Sequence, residues 1–146
     1  MERLCDLLIE ARFGISWVSY AIVRKDTTPA LLKKMKESGC HTLIYGMESA
    51  SNNVLKRMRK NYTAETAERV IRDTHHAGIC TNANLIVGYP GETEEDFQET
   101  VAFLQRNKDY IDEVTNISVL VLMEGAELAH NREQHGVQWQ PGTDPI

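Results

Sequence analysis

The chain has 146 residues, a net charge of −5, 42% hydrophobic residues and 25% charged ones, the makeup of one ordinary globular core. The acidic balance excludes a broad electrostatic grip on nucleic acid, and no apolar run approaches the roughly 20 residues of a membrane span. The N-terminus lacks the charged-then-apolar pattern of a signal peptide, so a cytoplasmic protein is expected. Three cysteines, Cys5, Cys40 and Cys80, are odd in number and widely spaced. That argues against a disulfide framework and against the close pairs used for zinc or a cluster.

Leu4, Leu7, Leu8 and Ala11 form a helical stripe within residues 2–12. Ile15 to Val23 is β-rich and predicts a strand. Thr28-Pro29 then opens a helix, with threonine as N-cap and proline at the first helical position. Leu31, Leu32 and Met35 face inward, and Gly39 suits the left-handed position that ends such a helix. His41 to Met47 predicts the second strand, followed by a short helix marked by Val54, Leu55 and Met58. Thr63 caps a longer helix with Ala67, Val70, Ile71, Thr74 and Ala77 on one face, ended by Gly78. Ile79 to Val87 is the third strand. Thr93 caps a helix whose first turn, Glu94-Glu95-Asp96, suits the positive end of its dipole. Phe97, Val101 and Leu104 form its buried stripe. Val114 to Met123 is the fourth strand, and the tail from about residue 137 reads as irregular.

Helices alternating with apolar strands predict an α/β fold with a parallel sheet buried on both faces. Helix-glycine-strand recurs at Gly39 and Gly78. Strand-ending glycines fall at Gly46, Gly88 and, more loosely, Gly125. A closed parallel barrel needs about eight strands. An open four-stranded sheet would be small but is allowed; the expectation is one domain over residues 1–146, a piece of a larger TIM-type barrel cut before its first residue.

Ligands of parallel α/β folds sit at the carboxyl ends of the strands. Arg24 follows the first strand, Glu48 and Ser49 the second, Gly88, Tyr89, Pro90, Gly91 and Glu92 the third, and Met123 and Glu124 the fourth. Glu48 is placed either to accept hydrogen bonds from ligand hydroxyls or merely to complement a helix dipole. Asn84 stands four residues before Gly88, directly ahead of the apolar run Leu85-Ile86-Val87, so its amide needs a partner or an edge position. A glycine at the strand tip, Gly88, lets a flat ring approach the backbone. The basic run Lys56-Arg-Met-Arg-Lys60 reads mostly as a solvated helix face. Lys60, at the helix end, can turn toward the site and bind a carboxylate. His75, His76, His130 and His135 form no ligand pattern. No nucleophile-base pair and no phosphate-binding Gly-Lys-Ser/Thr element occurs.

Gly46-Met-Glu-Ser-Ala-Ser51, then Val54-Leu55, Met58, Lys60, Tyr62-Thr63-Ala-Glu65, Ala77-Gly78-Ile79 and Ile86-Val-Gly-Tyr-Pro-Gly-Glu-Thr-Glu-Glu-Asp-Phe97 occur in linked order. Together, over roughly residues 15–125, they resemble the radical S-adenosylmethionine (radical SAM) superfamily. The Gly-x-Glu-Ser form resembles the cobalamin-binding branch, and Gly-Tyr-Pro-Gly-Glu-Thr-Glu-Glu-Asp is similar to the methylthiotransferases. The resemblance implies a partial barrel of six βα units, of which this chain carries the second helix and strands three to six. It implies that Glu48, with Ser49 beside it, meets the SAM ribose and that Lys60 holds the SAM carboxylate. Asn84 would contact the ribose, Gly88, Tyr89 and Pro90 would flank the adenine, the last strand near Leu122 would complete the adenine pocket, and Arg24, at the end of strand three, would face the site.

The family's [4Fe–4S] cluster is bound by Cys-x-x-x-Cys-x-x-Cys, which this sequence lacks. The glycine-rich stretch that holds the SAM amino group is also missing, and Met123-Glu-Gly-Ala-Glu-Leu128 replaces the Pro-x-Gly-Thr-like ending of relatives. The implied parent uses SAM and a [4Fe–4S] cluster, with or without cobalamin. It cleaves SAM reductively to a 5′-deoxyadenosyl radical that takes a hydrogen from substrate, chemistry that belongs to the cofactors. The chain alone is expected to be inactive. The alternatives are a non-catalytic binding or assembly module with the same fold, and an unrelated aldolase-like βα enzyme, which would want a lysine or metal ligands at strand ends. An unpaired edge along Ile15–Val23 predicts self-association or local disorder. The substrate is not specified by these residues.

Overall fold

In the computed structural model, residues 1–122, 125–133 and 137 are described. The element order is α1 (Glu2–Ala11), β1 (Trp17–Ala21), α2 (Pro29–Glu37), β2 (Cys40–Glu48), α3 (Asn52–Arg57), α4 (Ala64–His76), β3 (Cys80–Val87), α5 (Glu94–Arg106), β4 (Glu113–Val119) and α6 (Glu127–His130). The four strands form one sheet in the order β1-β2-β3-β4, and every neighbouring pair is parallel. Sequence order and spatial order coincide, as in successive βα units that wind in one direction.

Helix starts follow local chemistry. Thr28, Thr63 and Thr93 are extended N-caps whose hydroxyls accept from the backbone N–H three residues on, satisfying donors that have no intrahelical partner. Thr93 goes further: its own N–H donates to the Asp96 carboxylate, completing a capping box. Gly39, directly before β2, and Gly78, two residues before β3, take φ of +101° and +74°.

The core lies between the sheet and the helices. Leu43, Tyr45 and Met47 of β2 and Ala83 and Leu85 of β3 pack with Leu32, Met35, Val70, Ile71 and Phe103. Burial of each large side chain contributes roughly 1.5–3 kcal/mol. Within this core the Tyr45 hydroxyl donates to Thr74 Oγ1 at 2.8 Å, and Thr74 Oγ1 donates to the Val70 carbonyl at 2.7 Å. Burial pushes the Tyr45 phenol up to about 12, so it remains a donor.

The expectation of a sheet covered on both faces is corrected. Val18 and Tyr20 are 48% and 78% exposed, on the face of β1 that shares register with Thr42 and Ile44 rather than with the core residues Leu43 and Tyr45, and Ile22, just past β1, is 72% exposed. At the other edge, Ile117 and Val119, in register with Leu85 and Val87, are also exposed. An apolar run is consistent with burial on two faces but does not establish it. Boundaries shift too. Ile15 precedes β1, Gly46 lies inside β2 rather than ending it, and Leu122 lies past β4, which ends at Val119. Val87–Val119 is the final registered pair, so the ladder ends where β3 has no more residues to offer. The short helix α6 was not expected. The expected strand end at Met123, Glu124 and nearly all of the tail from residue 137 lie outside the described residues. No helix among the described residues is long and apolar enough to cross a membrane.

Candidate functional site

At the carboxyl end of β2 the register slips between Gly46 and Glu48, a bulge of the kind that re-aims a side chain. Glu48 has φ +63°, a left-handed conformation that costs a non-glycine residue about 1–3 kcal/mol and clusters at functional sites. Its carboxylate folds back over Gly46: a Cβ built on Gly46 would lie 2.8 Å from Glu48 Oε1. Lys60 Nζ lies 3.4 Å from both Glu48 Oε1 and the Gly46 carbonyl. The Tyr62 hydroxyl donates to the Met47 carbonyl at 2.6 Å. Burial, and secondarily the Glu48 charge, raise the Tyr62 phenol well above its ordinary range. It therefore acts as a fixed donor beneath the bulge.

Asn84 of β3 is the registered neighbour of Gly46 on one side and of Asn116 on the other. Its Oδ1 is buried and has no hydrogen-bond partner among the described residues. Such an acceptor costs about 1–3 kcal/mol unless a ligand or water satisfies it. Past the strand end, Gly88 has φ +77° with open space where a Cβ would stand. Its N–H donates to the Glu92 carboxylate at 2.6 Å, which pins the turn. The Tyr89 hydroxyl reaches the Arg57 carbonyl at 3.3 Å, and Pro90 is half-buried.

The structure thus gathers Glu48, Lys60, Asn84 and the Gly88–Pro90 turn at one end of the sheet. Ser49 is adjacent in sequence but 1% exposed. Its hydroxyl is engaged with Thr100 Oγ1 at 3.2 Å and accepts from the Ser51 N–H at 3.1 Å. Arg24 is paired with Asp26 at 2.7 Å and lines a cavity of about 730 Å³ against α1 and α2. Lys60 opens instead onto a separate cavity of about 500 Å³ with Lys25, Lys56 and Arg59. Leu122 is half-buried beyond the sheet.

Sequence reasoning missed the group that joins the two corners. Asp96, assigned to the helix dipole, is 5% exposed. It accepts from Ser51 Oγ at 2.6 Å, Asn53 Nδ2 at 2.9 Å, Thr93 N at 3.0 Å and Thr93 Oγ1 at 2.9 Å. These bonds, Ser51's foremost, hold its carboxyl down at about 2. The signal available in the sequence was Thr93-x-x-Asp96, a capping-box spacing. Tyr62 stands in the sequence only as one residue of a motif, and no local pattern announces its bond to the bulge.

The model of the family described as the radical SAM superfamily matches residues 1–104. The chain belongs to the radical SAM superfamily. A tRNA-2-methylthio-N(6)-dimethylallyladenosine synthase from Syntrophomonas wolfei subsp. wolfei is 36% identical over 111 residues, covering 71% of this chain and 25% of that protein. The ribosomal protein uS12 methylthiotransferase RimO from Flavobacterium psychrophilum is 33% identical over 113 residues, covering 74% and 26%. The chain therefore spans about a quarter of the length of these curated relatives. Among solved structures, the radical SAM methyltransferase TsrM from Kitasatospora setae, with cobalamin and a [4Fe–4S] cluster bound, superposes with TM-score 0.71 at 20% identity over 97% of this chain and 27% of TsrM. The sheet is accordingly part of a TIM-type partial barrel.

Radical SAM enzymes use SAM and a [4Fe–4S] cluster, and the residues here meet the two groups differently. The unpartnered Asn84 oxygen, the open space at Gly88 and the Glu48–Lys60 pair fit a polar, zwitterionic nucleoside ligand. The cysteines do not fit a cluster. Cys40 and Cys80 open β2 and β3, at the opposite end of the sheet from Glu48 and Gly88. Burial pushes the Cys40 thiol up to about 11, whereas a ligand must be a thiolate.

Proposed function

We propose that this chain supplies the nucleoside-binding wall of a radical SAM enzyme of the methylthiotransferase or cobalamin-dependent type. The unpartnered Asn84 oxygen beside the Glu48–Lys60 pair carries the reading. Asn84 and Glu48 would hold the ribose of SAM, Lys60 its carboxylate, and the Gly88–Pro90 backbone its adenine. Bound SAM would supply the family's radical chemistry, begun by reductive cleavage of its S–C5′ bond. The chain's own part is to bind, orient and shield. Lys60, in reach of both Glu48 and the Gly46 carbonyl, would exchange part of that contact for the ligand carboxylate at little cost in charge. Methyl or methylthio transfer is the activity class proposed for the whole protein, on the strength of the relatives' names.

The 146 residues contain no Cys-x-x-x-Cys-x-x-Cys, so on this reading the cluster ligands lie outside them and the chain alone is inactive. Calorimetric titration of the chain with SAM tests the first part, and saturable one-to-one binding is expected. Reconstitution with iron and sulfide tests the second. A stoichiometric [4Fe–4S] absorption spectrum would overturn it. The missing cysteines also favour a second reading, a binding or assembly module that keeps the fold without the chemistry. Failure to bind SAM, together with failure to form a cluster, would favour that module.

A further inference from the structure

The two corners of the site belong to different βα units, separated by some 40 residues of chain. Nothing in strand pairing alone fixes one loop against the other past the last ladder bond. The structure nevertheless joins them at both ends of α3. At its N-terminal end, Asp96 takes hydrogen bonds from Ser51 and Asn53, one residue before and one residue inside the helix start. The Thr100 hydroxyl, one turn further along α5, meets Ser49 Oγ and accepts from the Ala50 N–H at 3.1 Å. At its C-terminal end, the Arg57 guanidinium occupies the space a Cβ on Gly91 would need, and the Arg57 carbonyl accepts from Tyr89.

We propose that Asp96 is a positioning residue that locks the Glu48–Ser51 corner to the Gly88–Gly91 corner, so that SAM meets a preformed site. Asp96 touches no ligand-facing group. It acts through Ser51, three residues from the strained Glu48, and through Thr93, one residue from Glu92, which pins Gly88. Four donors converge on one buried carboxylate, and bonds to a charged acceptor are roughly twice as strong as neutral ones. Ligand groups contributed by two loops bind best when their spacing is set in advance.

This inference rests on the SAM reading above, and its test separates the two. Asp96→Asn keeps the size but turns one acceptor oxygen into a donor facing other donors. Asn53→Ala is a milder second variant that removes one partner of the same carboxylate. Ile71→Val, in the core on α4, serves as a control of lowered stability without contact to either corner. The full 146-residue chain is titrated with SAM, and amide hydrogen exchange is followed well below each melting point. Expected is a loss of SAM affinity of about tenfold in Asp96→Asn, a smaller loss in Asn53→Ala, and none in Ile71→Val. Exchange at Ser49–Ser51 should rise in the first two alone. If the parent chain binds SAM and Asp96→Asn binds it equally well, the inference is overturned. If the parent chain does not bind SAM, the functional reading fails. The locking role then stands or falls on exchange alone, and unchanged protection of Ser49–Ser51 in Asp96→Asn would overturn it.

Discussion

Replacing Asn84 by leucine should stabilise the chain and weaken its hold on SAM, two effects of opposite sign from one atom. The Oδ1 acceptor is buried without a partner, and leaving such a group unsatisfied costs about 1–3 kcal/mol. Because the side chain as a whole is half-buried, the lower end applies, and leucine, of similar branching, should recover about 1 kcal/mol. For a chain of this length that is a rise in melting temperature of about 3 °C. In the complex the same oxygen is expected to accept from a ribose hydroxyl. Losing that bond costs about 1 kcal/mol, or roughly fivefold in Kd. Thermal unfolding monitored by circular dichroism, with and without SAM, reads the first effect, and calorimetry reads the second. A melting temperature that falls would show that the oxygen is satisfied in the free chain. An unchanged Kd would show that Asn84 faces no ligand group.

Asp96 gives a pH signature. Its folded-state carboxyl titrates at about 2, below the ordinary 3.8, so its stabilisation is complete above the unfolded value and is lost as pH falls through the folded one. Urea unfolding from about pH 5 down to pH 2 should show a decline that is shallower in Asp96→Asn; equal slopes would refute the assignment. Gly91→Ala should cost more stability than Gly88→Ala. Both residues sit at positive φ, worth about 1–2 kcal/mol, but only at Gly91 does the added methyl meet the Arg57 guanidinium. Conversely, Gly88→Ala should lose SAM affinity out of proportion to its melting temperature, because its methyl enters open space at the strand tip. The exposed apolar face of Val18, Tyr20 and Ile22 predicts concentration-dependent association in sedimentation. Tyr20→Lys should reduce it, and a monodisperse monomer at all concentrations would count against it.

What was legible in the sequence is what local chemistry decides. Thr28-Pro29, Thr63 and Thr93 announce helix starts because the capping bond closes within three residues, and Gly39 and Gly78 announce strand entries because only a left-handed residue turns the chain there. Strand ends were less legible. The apolar run from Val114 onward gives no sign that β4 stops at Val119, because the stop is set by the length of its partner β3. Which strand faces are covered was hidden for the same reason: Tyr20 and Ile117 lie on opposite, uncovered sides at the two edges. At the site, Glu48, Lys60 and Asn84 stood out as polar residues at strand ends. Ser49 carried no sign that its hydroxyl is turned inward to Thr100, and Arg24 none that it is occupied by Asp26. Asp96 looked like one of three acids in a first turn. Only the fold, which brings Ser51 and Asn53 over it across more than 40 residues, distinguishes it from Glu94 and Glu95.

The bare position at Gly46, filled by the Glu48 carboxylate rather than by a side chain of its own, separates two properties that usually change together. Glu48→Gln would erase the charge and leave the group in its seat. Gly46→Ala would keep the charge but push Oε1, the oxygen in reach of Lys60, out of its seat over the glycine. Comparing the two variants therefore measures how much of the site's selectivity comes from where an acid sits and how much from its being an acid.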